Sequence, residues 1–119
     1  MAAPNIVNVT NILGKNASLA VTTSATAIVT GGANKVTKVN SLTVANIDGV
    51  TSADVTVELY DSSATTSYPI ASTIAVPPDS TLIVIDKNNG VYLEESDEIR
   101  LTASANGDLV AVISYEEIS

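Results

Sequence analysis

The carboxylates that could support chemistry are concentrated in one short stretch, Glu94-Glu95-Ser96-Asp97-Glu98. Clustered carboxylate oxygens are ligands that Ca²⁺ prefers, and two carboxylates that flank a sugar can hydrolyse a glycosidic bond. These acids are too close together to flank a sugar, and the chain has neither Trp nor Phe to stack against one. The stretch is typical of a solvated turn between two strands, and we expect no metal or other cofactor there.

The other patterns that could support catalysis or ligand binding are incomplete. Asp86-Lys87-Asn88-Asn89-Gly90 is similar to the start of a calcium loop but lacks the distal glutamate of such a loop. Ser and Thr are abundant, but the chain has no His to activate a hydroxyl and no Cys to supply a thiolate. Gly31-Gly32 lacks the pattern of a phosphate-binding loop. The sequence therefore supports no enzyme class, and we expect a non-enzymatic protein.

Charge is unevenly distributed along the chain, whose net charge is −8. Residues 1–47 hold three lysines and no acid, whereas residues 48–119 hold all 13 acids against one Lys and one Arg. With so few basic residues, nucleic acid and anionic membranes are poor partners. The acids can serve solubility alone. In the alternative interpretation, the weakly basic part of one copy contacts the acidic part of the next, or an acidic rim contacts a basic partner.

Targeting signals are not evident in the sequence. No run approaches the ~18 apolar residues of a membrane span. The opening residues MAAPNIVNVT lack the basic region and apolar core of a signal peptide. We therefore expect a protein that is made in the cytoplasm.

Hydrophobic alternation predicts eight or nine short strands and no helix. It is clearest at residues 54–60, where Val55, Val57 and Leu59 share one face, and at residues 99–103. Turn residues recur between these runs at a spacing typical of an antiparallel sandwich, either jelly-roll-like or immunoglobulin-like. The fold class that we predict is all-β, an antiparallel β-sandwich of about eight strands.

Local patterns add detail to this prediction. The alternation slips in phase near Asn40-Ser41, which indicates a bulge. Residues 81–86 are apolar on both sides, which favours a central strand. Gly14-Lys15-Asn16 predicts a turn, residues 87–90 predict a hairpin, and residues 61–69 predict an exposed polar loop.

Residues 13–119 are predicted to form a single β-sandwich domain that follows an N-terminal strand or arm over residues 1–12. An edge strand and an arm ordered by a neighbouring subunit both fit this Asn-rich segment. Its apolar residues, two tyrosines near the polar loop and the acids of the turn are candidate interface residues, although the tyrosines fit a role in capping the core equally well. The candidates are Ile6, Val7, Val9, Ile12, Tyr60, Tyr68, Glu94, Glu95, Asp97 and Glu98.

Three phrases of the sequence carry a family resemblance: the opening M-A-A-P-N-I-V-N-V-T, the segment V-Y-L-E-E-S-D-E-I-R-L-T-A-S-A, and the ending V-I-S-Y-E-E-I-S. In these phrases the chain resembles small virion structural proteins of tailed phages, in particular cyanophages. The resemblance runs along nearly the whole chain and rests on strands and turns rather than on catalytic motifs. It implies a non-enzymatic virion component that is present in many copies.

The function that this resemblance implies is that of a capsid decoration or cement protein, which bridges and stabilises capsid subunits. The expected partners are the major capsid protein or other virion proteins and further copies of the chain, with a trimer as one option. The protein would be assembled into the virion in the host cytoplasm. A neck, tail or fibre-associated component is the close alternative. A carbohydrate-binding module for host adhesion is the alternative of another class, which the lack of Trp and Phe disfavours.

Overall fold

Val, Ile and Thr recur between turn residues, and their branched side chains favour extended backbone. The computed structural model describes residues 10–119. Within that range the chain forms nine strands and one short 3-10 turn at Lys87–Asn89. The strands are β1 (Ile12–Ala20), β2 (Thr26–Thr30), β3 (Val36–Asn46), β4 (Ala53–Asp61), β5 (Thr66–Val76), β6 (Thr81–Ile85), β7 (Val91–Leu93), β8 (Glu98–Ala103) and β9 (Leu109–Ile118).

The strands form two antiparallel sheets that pack face to face. Sheet A has the order β1-β9-β3-β6, with β7 also paired to β3, and sheet B has the order β2-β8-β4-β5. Pairing is nested, because β4 pairs with β5, β3 with β6 and β7, β2 with β8, and β1 with β9. Such nesting is the connectivity of a jelly roll, whereas in an immunoglobulin fold the first two strands pair with each other. The predicted all-β antiparallel sandwich is confirmed, in its jelly-roll form.

The core lies between the two sheets and is built from small branched side chains. Ile99 and Leu101 of β8 and Leu42 and Val44 of β3 are fully buried, as their alternation with polar neighbours predicts. Each such side chain contributes roughly 1.5–3 kcal/mol when it is removed from water. A core without Phe or Trp is therefore sufficient to hold the sheets together.

The loops gather at two ends of the sandwich. At one end, which we call the acidic end, the connections β1–β2, β3–β4, β5–β6 and β8–β9 contact one another. The amide of Ile47 donates to the carbonyl oxygen of Asp108 (2.8 Å), and the amide of Asp79 donates to that of Asp48 (3.2 Å). The connections β2–β3, β4–β5 and β7–β8 meet at the opposite end.

Two strand assignments differ from the sequence prediction, whereas the bulge is confirmed. The β3–β9 register shifts between Val39 and Ser41, where the bulge was predicted. Gly14-Lys15-Asn16 was wrongly predicted as a turn: it lies inside β1, because β9 pairs with β1 without interruption from Ile12 to Ala20. Residues 66–69 likewise belong to β5 rather than to the polar loop, which narrows to residues 62–65.

The segment from residue 81 to residue 90 also departs from the prediction. β6 is an edge strand of sheet A rather than a central one, and Ile83 is 63% exposed. Residues 87–90 do not form a hairpin, because β6 and β7 both run antiparallel to β3 and therefore run in the same direction. The 3-10 turn at Lys87–Asn89, capped by the Asp86 side chain, joins them along one edge.

Candidate interaction surfaces

The acidic turn at residues 94–97 does not lie at the acidic end. It joins loops at the opposite end of the sandwich. The Asp97 carboxylate accepts hydrogen bonds from the amide of Ser62 (3.0 Å) and from the amide of Glu94 (3.2 Å). The carbonyl oxygen of Asp97 also accepts a hydrogen bond from the amide of Gly31 (2.8 Å). Asp97 therefore acts chiefly as a structural acceptor that ties three loops together.

The other acids of this turn are differently placed. Glu94 is exposed, Glu95 is half-buried, and Glu98 belongs to β8. Over residues 10–119, no group of three or more acidic side chains is arranged to hold a metal ion. Glu94 is the acid of this turn that is most accessible to a partner.

Tyr60 and Glu98 lie in a charged cluster on the outer face of sheet B. The Arg100 Nε donates to the Glu98 Oε1 (2.6 Å), and the guanidinium lies 3.9 Å from the centre of the Tyr60 ring. A cation over an aromatic face contributes roughly 0.5–1 kcal/mol at an exposed site. These two candidates therefore contact each other through Arg100.

The two candidate tyrosines do not form a common surface. In the β4–β5 register Tyr60 lies opposite Ser67, whereas Tyr68 lies opposite Leu59, which packs against the core. Successive residues of a strand point to opposite faces, so Tyr60 and Tyr68 lie on different sides of sheet B. Tyr68 is nevertheless 52% exposed, at the end of the sheet.

Of the four candidates near the N-terminus, Ile12 lies within the residues that the structure describes. Ile12 is the first residue of β1, lies opposite Ile118 of β9 and is 58% exposed. Ile6, Val7 and Val9 lie outside the described residues. Ile12 is therefore an exposed apolar residue that is already held in a sheet.

The N-terminal lysines find acidic partners within the chain. Lys15 Nζ lies 2.7 Å from the Glu117 Oε1, and Lys35 Nζ lies 3.6 Å from the same atom. The hydrogen bond from Lys15 lowers the pKa of Glu117, against the opposing effect of burial, and the same contact raises the pKa of Lys15. The contrast between the basic and acidic parts of the sequence is thus partly neutralised inside one molecule.

The loops of the acidic end carry acidic residues and no basic ones. Its four loops carry Asp48, Asp79 and Asp108 and contain neither Lys nor Arg. The Asp48 Oδ1 accepts hydrogen bonds from the amides of Val50 (2.8 Å) and Thr51, which lower the pKa of its carboxyl group. Asp48 thereby fixes the β3–β4 loop, from which Val50 projects with 87% exposure.

The outer face of sheet A has a different composition, which the cross-strand register defines. One row runs from Ser18 across Val112 and Thr43 to Ile83, because each residue lies opposite the next. Residues opposite each other in antiparallel strands point to the same face, and the neighbours of Val112 on both sides are buried. The row therefore points away from the core.

Two further rows flank this one and complete an uncharged surface. We call the eleven outward positions of the three rows the neutral face: Asn16, Ser18, Ala20, Ser41, Thr43, Ala45, Thr81, Ile83, Val110, Val112 and Ser114. None of these side chains is ionisable. Two of its apolar side chains are well exposed, Ile83 at 63% and Val112 at 47%.

Sheet B presents a charged outer face by the same geometry. Its outward positions include Asp54, Glu58, Glu98 and Arg100, with Arg100 directly opposite Glu58 in the β4–β8 register. β5, at its edge, carries Pro69, and two register shifts interrupt its pairing with β4. Proline and bulges are features that protect a sheet edge from further pairing.

The apolar run at residues 81–85 is the part of the sequence that indicated the neutral face, although it was interpreted as a buried central strand. Residues 81–85, Thr-Leu-Ile-Val-Ile, are apolar on both sides, which normally indicates burial between two layers of the same chain. In the structure Leu82 and Val84 pack against the core, whereas Ile83 faces outward. The rows themselves could not be recognised without the strand order.

No protein-family model matches this sequence, and no curated protein matches it either. Over residues 10–119 there is no helix long and apolar enough to cross a membrane.

Proposed function

We propose that this protein is a non-enzymatic structural component of a tailed-phage virion, and that it decorates the capsid as a cement protein. The observation that carries the proposal is the neutral face, a sheet surface on which apolar side chains remain exposed although the chain as a whole is strongly acidic. Depletion of charge with retention of apolar side chains is the composition of the centre of a protein–protein interface.

The fold and the sequence resemblance support the same proposal. Jelly rolls occur in viral capsid proteins, and they occur equally in lectins and cupins, so the fold alone does not select a function. The resemblance to tailed-phage virion proteins favours the first of these classes. A cement protein needs surfaces for contact rather than a catalytic cleft, which fits a molecule with an uncharged face and an acidic end.

Cryo-electron microscopy of the virion tests this proposal directly. We expect the protein at many equivalent positions on the capsid lattice, and we expect particles that lack it to release their DNA at a lower temperature than complete particles. A ring of a few copies at the neck or tail would instead identify a connector or fibre component. Absence from the particle would overturn the virion assignment.

Glycan binding provides the test between virion assembly and host adhesion. An adhesion module would bind immobilised glycans through an exposed aromatic side chain, and Tyr68 is such a residue. We expect no glycan binding by the wild-type protein. Binding that the substitution Tyr68→Ala abolishes would favour the adhesion function over the cement function.

A further inference from the structure

We propose that the neutral face is a dimerisation surface, on which two copies of this chain stack their sheets A with antiparallel strands about a two-fold axis. This inference rests on the proposed function in that it supplies a contact between neighbouring copies on the virion. It makes its own claim about the isolated protein, because dimerisation can be measured without particles. Sheets that pack in this way form aligned sandwiches, the arrangement already present between sheets A and B.

Charge favours a second copy as the occupant of this face. Two molecules with a net charge of −8 repel each other wherever their acidic surfaces meet. The eleven positions of the neutral face bring no ionisable side chain to the centre of the contact, so two copies can approach through it without burying like charges there. A two-fold contact is also self-complementary, since the same surface serves both partners.

The antiparallel orientation is favoured by the residues at the two ends of the face. Lys38 lies opposite Tyr92 and Glu116 at the end away from the acidic end. Beyond the opposite end of the face lie Asp79 and Asp108. Antiparallel stacking places these aspartates over an end of the second copy where the charge of Lys38 balances that of Glu116, whereas parallel stacking would place aspartates over aspartates.

Exposed apolar residues follow the same symmetry. Ile47 continues β3 at the acidic end and is 62% exposed, and Tyr92 of β7 at the other end is 51% exposed. The β3 register and the alternation in β7 place both on the outer side of sheet A. In an antiparallel stack Ile47 of each copy would approach Tyr92 of the other, so two further apolar contacts would flank the central Val112 and Ile83.

The area of the surface sets the expected strength of the dimer. Between Tyr92 and Ile47 the face spans about ten residues at ~3.3 Å each and nearly four strands at ~4.8 Å, which gives roughly 500 Å² per copy. The total of roughly 1,000 Å² is at the lower limit for a specific interface. We therefore expect a weak dimer whose population rises with protein concentration, and which a lattice would strengthen by holding copies close together.

Sedimentation velocity over a wide concentration range tests the dimer, with Val112→Lys as the disrupting variant. Val112 lies in the central row, so lysines at this position would face each other near the two-fold axis. We expect the wild-type mass to rise towards twice that of the monomer, and Val112→Lys to weaken association by about tenfold or more. Ile83→Ser, which removes apolar area without adding charge, should weaken it less.

Thr102→Lys is the matched control, because Thr102 points outward from the centre of sheet B. This variant should dimerise like the wild type, and circular dichroism and melting temperatures should show that all variants fold. A wild-type protein that stays monomeric at millimolar concentration would overturn the inference, as would equal weakening by Thr102→Lys and Val112→Lys. A dimer that fails to bind virions would refute the proposed function and leave this inference intact.

Discussion

The outer faces of the two sheets differ in their charge and in how far their side chains contact one another. On sheet B the charged groups contact one another: Arg100 lies 2.6 Å from Glu98 and 3.9 Å from the ring centre of Tyr60. On sheet A the corresponding centre has no charged group, and Val112 and Ile83 remain exposed. The centre of the outer face of sheet B therefore pairs its charged groups within the molecule, whereas the centre of the outer face of sheet A combines missing charge with exposed apolar side chains, the composition found at the centre of protein–protein interfaces.

Strand formation does not explain this difference. Both sheets bury the same kinds of residue on their inner faces, and both alternate with a period of two. Sheet B forms its strands although Asp and Glu at its outward positions disfavour a strand, whereas Thr and Val favour one. The choice of uncharged residues over three rows is therefore a property of the surface rather than a requirement of the fold.

The largest effect is expected from a substitution that disturbs the contact between the β2–β3 loop and the acidic turn. A Cβ added at Gly31 would collide with the carbonyl oxygen of Glu94, where the β2–β3 loop meets the acidic turn. Because that contact is with backbone, we expect Gly31→Ala to lower the free energy of unfolding by about 3 kcal/mol. In a domain of this size the melting temperature would fall by roughly 10 °C, which differential scanning calorimetry would detect.

The neighbouring glycine provides the control for this substitution. A Cβ at Gly32 would meet the flexible side chain of Lys35 at 3.3 Å, and that side chain can move aside. We expect Gly32→Ala to change the melting temperature by only a few degrees. Equal losses for the two variants would show that the close approach of Gly31 to the acidic turn does not determine stability.

A smaller effect is expected on the outer face of sheet B. Replacing Arg100 by Ala removes both its ion pair with Glu98 and its stacking on Tyr60. We expect a loss of about 1 kcal/mol in the free energy of unfolding, measured by urea denaturation. Arg100→Lys should recover part of the loss, since it restores the charge but not the planar stacking group.

The opposite result would weaken the comparison of the two faces. If Arg100→Ala leaves the free energy of unfolding unchanged, the charged cluster does not stabilise the monomer. Sheet B would then be as available for partners as sheet A. Conversely, a loss in Arg100→Ala together with unchanged stability in Val112→Lys would sharpen the contrast, because outward substitutions away from such contacts usually cost less than about 0.5 kcal/mol.

The sequence was sufficient to predict the elements that depend on local pattern. Alternation at residues 54–60 and at Ile99 to Ala103 predicted β4 and β8 and their buried faces, and the phase slip near Asn40 predicted the bulge in β3. Each of these signals is contained within one strand and its own side chains. The antiparallel sandwich followed from the spacing of such strands.

The features that depend on distant partners could not be predicted in this way. Gly14 looked like part of a turn because local propensity disfavours it in a strand, yet nine residues of β9 pair with β1 across it. Residues 81–85 looked central because their outward apolar residue suggested burial within the chain. The neutral face needs three separate pairings to be recognised, so no single stretch of sequence could reveal it.

The smallest effect is expected at the ion pairs beneath one end of sheet A. Sheet A turns Glu117 inward, towards Lys15 and Lys35, and this contact lowers the pKa of the Glu117 carboxyl group. A lowered pKa in the folded state stabilises the protein above the ordinary pKa of glutamate, and that stabilisation is lost as the pH falls through the folded-state pKa. The free energy of unfolding should therefore decrease between about pH 7 and about pH 3.

The variant Glu117→Gln isolates the share of this decrease that belongs to the ion pairs. It should be less stable than the wild type at about pH 7 and should lose less stability on acidification, because its side chain cannot be protonated. Both differences should be smaller than the loss in Arg100→Ala, since Lys15 and Lys35 are well exposed and water screens their charges. Glu94→Gln, at an exposed position of the acidic turn, is the control and should follow the wild-type pH profile more closely. If the two variants have the same profile, Glu117 is not held by its lysines, and the ion pairs contribute nothing measurable to the stability of sheet A.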